Sequence, residues 1–290
     1  MSSAETLTGL ARRERTGAEK RRIGLPRALE MLPVYLGDTE HPPEGFFMPD
    51  MMYLATEDAY CDCWSRNDVI TPKTRSLFTV AMMVAAGNTG NQFELLGHAP
   101  GALKNGASQA ELEELLSDAF VYVGGPATAW AWSTVQQRLK ELNLLQPGQQ
   151  RISERREKTG SEKRKLGKET LGQLNPDSDL LKFPEELSQD KFAPELDCMF
   201  LESMYYDRWH DRESVFDLKT RSIVVFGFLC GLRIEADIQE HVEVMLNCGV
   251  TVQEMEELVY QAASYLGLPS GKLCRNAVSA ALIAKGLTKE

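Results

Sequence analysis

The stretch ELLGHAPGALKNGASQAELEELL, residues 94–116, is the part of the sequence that decides the fold. Its first part has the pattern of an amphipathic helix that ends at Gly106, because glycine tolerates the left-handed conformation that follows many helices. Ser108 and Glu111 then have the spacing of a capping box, which predicts the start of a second helix. The stretch DIQEHVEVMLNCGVTVQEMEELV, residues 237–259, repeats this plan 143 residues later.

The repetition extends along most of the chain. Matching residues keep their order at offsets of 143 to 146. The pairs are Arg15 and Lys158, Trp64 and Trp209, Arg75 and Arg221, His98 and His241, Gly106 and Gly249, Tyr122 and Tyr265, and Pro126 and Pro269. So many ordered matches indicate a tandem duplication. We therefore predict two domains, residues 1–147 and 148–290, and we predict that the second is preceded by a charged, proline-bearing linker.

Both predicted domains are all-α. The apolar runs SLFTVAMMVAAG, residues 76–87, and SIVVFGFLCG, residues 222–231, are long enough to favour a buried helix over a strand. Pro126 and Pro269 stand where a further helix can begin. Proline-bearing stretches, HPPEGFFMPD in the first copy and NPDSDLLKFPEELSQDKFAP in the second, are expected to wrap the surface.

Composition narrows the class of protein. The chain of 290 residues has a formal net charge of −10, which argues against a general nucleic-acid binder. No run approaches the roughly 20 apolar residues of a membrane span, and residues 1–22 lack the apolar core of a secretory leader. We therefore expect a cytoplasmic protein whose six cysteines are free thiols.

The best candidates for chemistry are two histidines that recur at the same place in each copy. His98 has Glu94 four residues before it, and His241 has Asp237. Residues at this spacing share one face of a helix, so the carboxylate can accept the Nδ1–H of the imidazole and leave Nε2 to move a proton. The alternative is an exposed pair that only stabilises its helix.

Two arginines and three tryptophans are candidates for a substrate pocket. Arg75 and Arg221 precede the apolar helices and could bind a substrate carboxylate. The alternative for them is a structural ion pair with Asp62 or Asp207. Among the tryptophans, Trp64 recurs as Trp209 in the second copy. We expect both in the core or in the wall of a pocket. Trp130 and Trp132 have no aromatic counterpart in the second copy, which makes them candidates for a pocket specific to the first.

No metal or cofactor is expected. The sequence has no HExxH motif, no CxxC motif and no cluster of histidines with metal-ligand spacing. It also has no phosphate-binding glycine loop and no nucleophile elbow. Acid–base chemistry by side chains is then the simplest reading of the histidine pairs.

The order of these motifs resembles the carboxymuconolactone decarboxylase family, within the AhpD-like all-helical fold. The resemblance covers residues 50–140 and 195–286 and implies that the helix with the ExxxH element borders an active site. It assigns proton transfer to His98 with Glu94, and to His241 with Asp237. The peroxidase branch of this fold has a cysteine where Glu94 and Asp237 stand, so thiol redox chemistry is not expected here.

The resemblance implies a cofactor-free decarboxylase that acts on an anionic or lactone-like small molecule. Two alternatives stay open. The same residues could isomerise, cyclise or dehydrate a lactone- or polyketide-like metabolite, or the fold could serve as a scaffold without turnover. The shorter carboxylate of Asp237 makes the first copy the better candidate for activity.

The resemblance also predicts an oligomer. Single-domain members of the family form rings of six subunits, so a chain with two such domains needs three copies to provide six. We expect a homotrimer with about three times the 32.4 kDa mass of the chain. Light scattering of the purified protein measures this mass, and a strictly monomeric species would contradict the prediction.

Overall fold

The computed structural model describes residues 12–31, 48, 50–87, 92–148, 157–183, 192–210 and 215–289. These residues form helices and contain no strand, which confirms the all-α class. The α-helices are α1 Gly17–Met31, α2 Asp50–Leu54, α3 Pro72–Ala86, α4 Gln92–Lys104, α5 Gln109–Tyr122, α6 Gly125–Glu141, α7 Gly160–Leu174, α8 Glu195–Met199, α9 Leu218–Leu232, α10 Glu235–Asn247, α11 Val252–Leu266 and α12 Leu268–Ala284.

The described chain also has three helical segments that are not α-helices. A first π-helix, Ala55–Trp64, continues α2, and a second, Phe200–His210, continues α8. A short 3₁₀ helix spans Asp179–Lys182. Residues 149–156 of the predicted linker, and much of both proline-bearing stretches, lie outside the described residues. In the part of the chain that is described, no helix is both long and apolar enough to span a membrane.

Local sequence signals set the ends of the helices, as predicted. Capping boxes start α5 at Ser108 and α11 at Thr251. The turns before these helices contain Gly106 and Gly249, whose φ angles are +95° and +82°. In this left-handed region a glycine avoids the steric clash that a Cβ atom would cause.

Helices α3 and α9 pack against each other at the centre of the molecule. The approach is close because α9 has glycines at the contact. A Cβ atom on Gly227 would lie 2.8 Å from Cβ of Ala81, and one on Gly231 would lie 2.6 Å from Cβ of Ala85. The two apolar runs of the sequence therefore form one joint core, with each helix contributed by a different half of the chain.

The neighbouring helices also cross between the halves. Helix α11 of the second half packs on α3, and α5 of the first half packs on α9. Both of the large apolar clusters contain residues of both halves. The division into two domains at residue 147 stays a prediction, and the described cores belong to the two halves together.

The repeated basic motifs near residues 15 and 158 belong to α1 and α7, which pack on the π-helices. Gly24 lies against the backbone of Thr56, and Gly167 lies against that of Leu201. A Cβ atom at either glycine would come within 2.1 Å of a carbonyl oxygen. This close packing explains why both copies of the motif contain a glycine at this place.

We predict that Gly231→Ala lowers the free energy of unfolding by about 1–3 kcal/mol, because the added methyl group must push α9 away from α3. Gly172→Ala is the matched control. It also lies in a helix, but the nearest atom to its added Cβ is 3.8 Å away, so helix propensity should stabilise it by about 0.5–1 kcal/mol. Urea denaturation measures both values. Equal stability of the two variants would contradict the close packing.

Candidate functional site

His98 lies in α4 between two aromatic rings from different halves of the chain. The imidazole is 1% exposed. The indole of Trp64 stacks on it with ring centroids 5.8 Å apart, and the ring of Tyr265 meets it edge-on at 5.1 Å. Trp64 ends the first π-helix, whereas Tyr265 belongs to α11. The site is therefore completed by a residue of the second half.

A chain of hydrogen-bonding groups connects these three residues. Nε1 of Trp64 donates a hydrogen bond of 2.6 Å to the hydroxyl oxygen of Tyr265. That hydroxyl lies 3.2 Å from Nε2 of His98. Burial raises the pKa of Tyr265 well above its usual value, so its hydroxyl keeps its proton at neutral pH.

Glu94 lies beside the imidazole, but on the side opposite to the one predicted. Its Oε2 atom is 3.7 Å from Nε2 of His98, and its side chain is 47% exposed. The prediction that it accepts a hydrogen bond from Nδ1–H is wrong. Nδ1 is buried and has no hydrogen-bond partner among the described residues. Only one ring nitrogen thus contacts the carboxylate and the phenol.

Burial sets the protonation of this pair. It lowers the pKa of His98 to about 3, because a buried imidazolium loses its hydration. It also raises the pKa of Glu94, for the corresponding reason. At neutral pH the imidazole is neutral, and the carboxyl group next to it takes up a proton more readily than one in water.

The second half has a related arrangement around His241. Nε1 of Trp209 donates a hydrogen bond of 2.7 Å to the hydroxyl of Tyr122, which belongs to the first half. The rings of Trp209 and His241 are 6.2 Å apart and inclined at 58°. Nε2 of His241 lies 2.9 Å from the carbonyl oxygen of Ser222, a partner that His98 does not have.

Asp237 does not pair with His241. Its side chain is exposed, and no ion pair or hydrogen bond joins the two residues. Burial lowers the pKa of His241 to about 4, against the opposing effect of its hydrogen bond to Ser222. Instead, His241, Asp237 and Tyr122 line one cavity of about 430 Å³. The carboxylate–histidine contact expected in both copies is therefore found only in the first.

The two predicted substrate-binding arginines lie in the core, at 0% and 1% exposure. Arg75 donates to Glu257 and Gln261, each at 3.0 Å. Arg221 donates to Glu114 at 2.6 Å and to Asp118 at 2.5 Å. The contacts with Glu257, Glu114 and Asp118 are structural ion pairs of the kind given as the alternative, but with different partners.

The aspartates named as alternative partners pair elsewhere, Asp62 with Arg13 and Lys20, and Asp207 with Lys163. Trp130 is partly buried, packs on the apolar cluster that contains Leu95 and Leu115, and lies next to Gly87.

The tyrosines of both sites were not among the predicted site residues. Tyr122 and Tyr265 recur at the offset of 143, and this recurrence was the available signal. It could not show that each would reach the site of the other half. Among the described residues, no group of three or more His, Cys, Asp or Glu side chains could hold a metal ion.

Comparisons with known proteins identify the family of the chain. Residues 50–137, which include Glu94 and His98, match the carboxymuconolactone decarboxylase family model. A 4-carboxymuconolactone decarboxylase of Acinetobacter baylyi is 31% identical over 98 residues, which are 34% of this chain and 70% of that protein. A solved Burkholderia xenovorans chain, described as a gamma-carboxymuconolactone decarboxylase subunit, has a TM-score of 0.45 and 19% identity, over 94% of this chain and 99% of that one. On the sequence matches, the chain belongs to the carboxymuconolactone decarboxylase family.

Proposed function

We propose that the chain is a cofactor-free decarboxylase that acts on a lactone acid or a related activated carboxylate at the His98 site. The observation that carries this proposal is the buried neutral imidazole of His98, held between Trp64 and Tyr265 with the half-exposed Glu94 beside it. The name of the Acinetobacter baylyi relative supports the class of reaction.

The reaction requires one proton for each CO₂ released. The bond between the carboxylate carbon and the lactone ring of the substrate breaks. Its electron pair moves into the conjugated carbonyl of the substrate to form a dienolate. A proton then adds to carbon, so that a carboxylate and a proton become CO₂ and a neutral C–H product. The site must therefore stabilise an oxyanion and deliver a proton.

His98 is suited to deliver that proton only when the substrate is bound. Its pKa of about 3 in the free protein keeps it neutral. A substrate carboxylate next to the ring raises this pKa, because a nearby negative charge favours the imidazolium. Glu94 is in contact with both solvent and the imidazole, so it provides a route for the proton from water.

One polar atom of the imidazole is available to hold the substrate. Nδ1 of His98 has no described partner, and leaving a buried polar atom unpaired costs about 1–3 kcal/mol. A substrate oxygen next to it would remove this cost. The protonated Tyr265 hydroxyl lies on the other side of the ring, where it can orient the imidazole. The indole of Trp64 provides an apolar wall that helps to desolvate the carboxylate.

We expect His98→Gln to lower kcat for CO₂ release by at least about 100-fold, because a positioned proton donor contributes a factor of this size. 4-Carboxymuconolactone is the first substrate to test. His210→Gln is the matched control, since His210 is bonded to Thr170 and stacked on Tyr206, away from the His98 site. This control should keep full activity.

The mass of the product distinguishes the candidate reactions. A product lighter by one CO₂ supports decarboxylation. If the product has an unchanged mass and His98→Gln no longer forms it, the reaction is an isomerisation that uses the same residues. Wild-type turnover in His98→Gln would refute the role of the histidine altogether.

The buried histidines also predict a dependence of stability on pH. In the unfolded chain His98 titrates near 6.5, and in the folded chain burial lowers its pKa to about 3. The unfolded state therefore binds an additional proton between these pH values. The free energy of unfolding should fall by about 1.4 kcal/mol for each pH unit below 6.5, and this contribution is fully present above 6.5.

His98→Gln removes this contribution. Between pH 6 and 4.5, the slope of unfolding free energy against pH should be smaller in the variant by about 1.4 kcal/mol per pH unit. Denaturant titrations at several pH values measure the slope, whatever the stability of the variant at any single pH. Identical slopes would show that His98 is protonated in the folded protein.

A further inference from the structure

We propose that the cavity around His241 is a second binding site, and that its ligand is a small organic cation with an apolar body. The cavity has a volume of about 430 Å³, within the range of small-molecule sites in proteins. Both halves build it, because Tyr122 at the end of α5 closes a space formed mainly by α9, α10 and the second π-helix.

The charge of the cavity selects the ligand. Three carboxylates are among its described lining residues, Asp197, Asp237 and Glu240, and none of those residues is a lysine or an arginine. Among these described residues, the carboxylates of Asp237 and Glu240 repel an anion that enters this space and attract a cation. A lactone acid, the substrate proposed for the first site, is therefore the wrong charge for this one.

The carboxylates act on the interior of the cavity as well as its edge. Tyr205 lines the same space, and its pKa is raised above its usual value by burial and by the negative charges of Glu240 and Asp237. Glu240 is held in place by a hydrogen bond of 3.1 Å from the amide of Asn175. Asp237 makes no such bond among the described residues and is free to pair with a ligand.

His241 provides a hydrogen-bond acceptor that no described residue uses. A carbonyl oxygen can only accept, so the 2.9 Å contact with Ser222 places the ring hydrogen on Nε2. Nδ1 then carries a lone pair. The residue is only 7% exposed and lines the cavity, and Nδ1 has no described partner. The N–H of an ammonium group would satisfy it.

Much of the remaining lining is apolar and partly aromatic. Phe200, Met204, Leu229 and Val244 contribute walls that suit a hydrocarbon body. An aromatic face attracts a cation in addition to apolar groups. The combination of acceptors, carboxylates and apolar walls matches an amine attached to an aromatic or aliphatic group.

Isothermal titration of the full-length protein with three probes tests this assignment. Phenethylamine, 2-phenylethanol and phenylacetate share a phenyl body and differ in the charge of the head group. We expect phenethylamine to bind, and Asp237→Asn with Glu240→Gln to weaken its binding at least about tenfold, since two neighbouring charges contribute on this scale. Glu235→Gln is the control, because Glu235 is exposed on the same helix and does not line the cavity.

The single variant Asp237→Asn separates weaker binding from a loss of folding, because the side chain of Asp237 makes no hydrogen bond or ion pair with a described residue. It should weaken amine binding about threefold and shift the thermal midpoint no more than Glu235→Gln does, since both residues are acidic and lie in the first turn of α10. Failure of phenethylamine to bind, or equal binding in the double variant, would overturn the proposal. Displacement of the amine by phenylacetate at equal concentration would overturn the choice of charge.

Discussion

The contact between α3 and α9 is the constraint on which the rest of the structure depends. Gly227 and Gly231 remove the side chains that would hold the two helices apart. Once these helices touch, α11 and α5 must pack across the boundary between the halves to cover them. That crossing brings Tyr265 to His98 and Tyr122 to Trp209. The polar geometry of each site therefore follows from an apolar contact elsewhere.

The buried arginines form ion pairs that also join the two halves of the chain. A guanidinium inside a core needs carboxylates close by, and the cost of leaving it unpaired is several kcal/mol. Arg75 finds Glu257, and Arg221 finds Glu114, so each half neutralises the charge of the other. Gln261 stands where Asp118 stands in the other half, and burial raises the pKa of Asp118 to about 7. Arg75 thus faces one carboxylate, whereas Arg221 faces two, of which one takes up a proton near neutral pH.

Local signals made much of the fold predictable. Capping boxes, left-handed glycines and proline at the start of a helix act within a few residues, so the sequence shows both partners of each interaction. The arginines show where this reasoning ends. Their position before an apolar helix was visible, but the partner lies more than 100 residues away along the chain. The tyrosines were not predicted as site residues for the same reason. Recurrence shows that a residue is repeated, but it does not show which site the side chain reaches.

The length of one side chain separates the two histidine sites. Glu94 has one more methylene than Asp237 and lies 3.7 Å from its imidazole, whereas Asp237 does not come within ion-pair distance of His241. His241 instead bonds to the backbone of Ser222, which fixes its hydrogen and leaves its other nitrogen to the cavity. A carboxylate that does not pair with the histidine is free to act on a ligand. We therefore propose that the two halves differ in role, with a proton-transfer pair in the first and an acidic binding cavity in the second, and that the same crossing helices complete both.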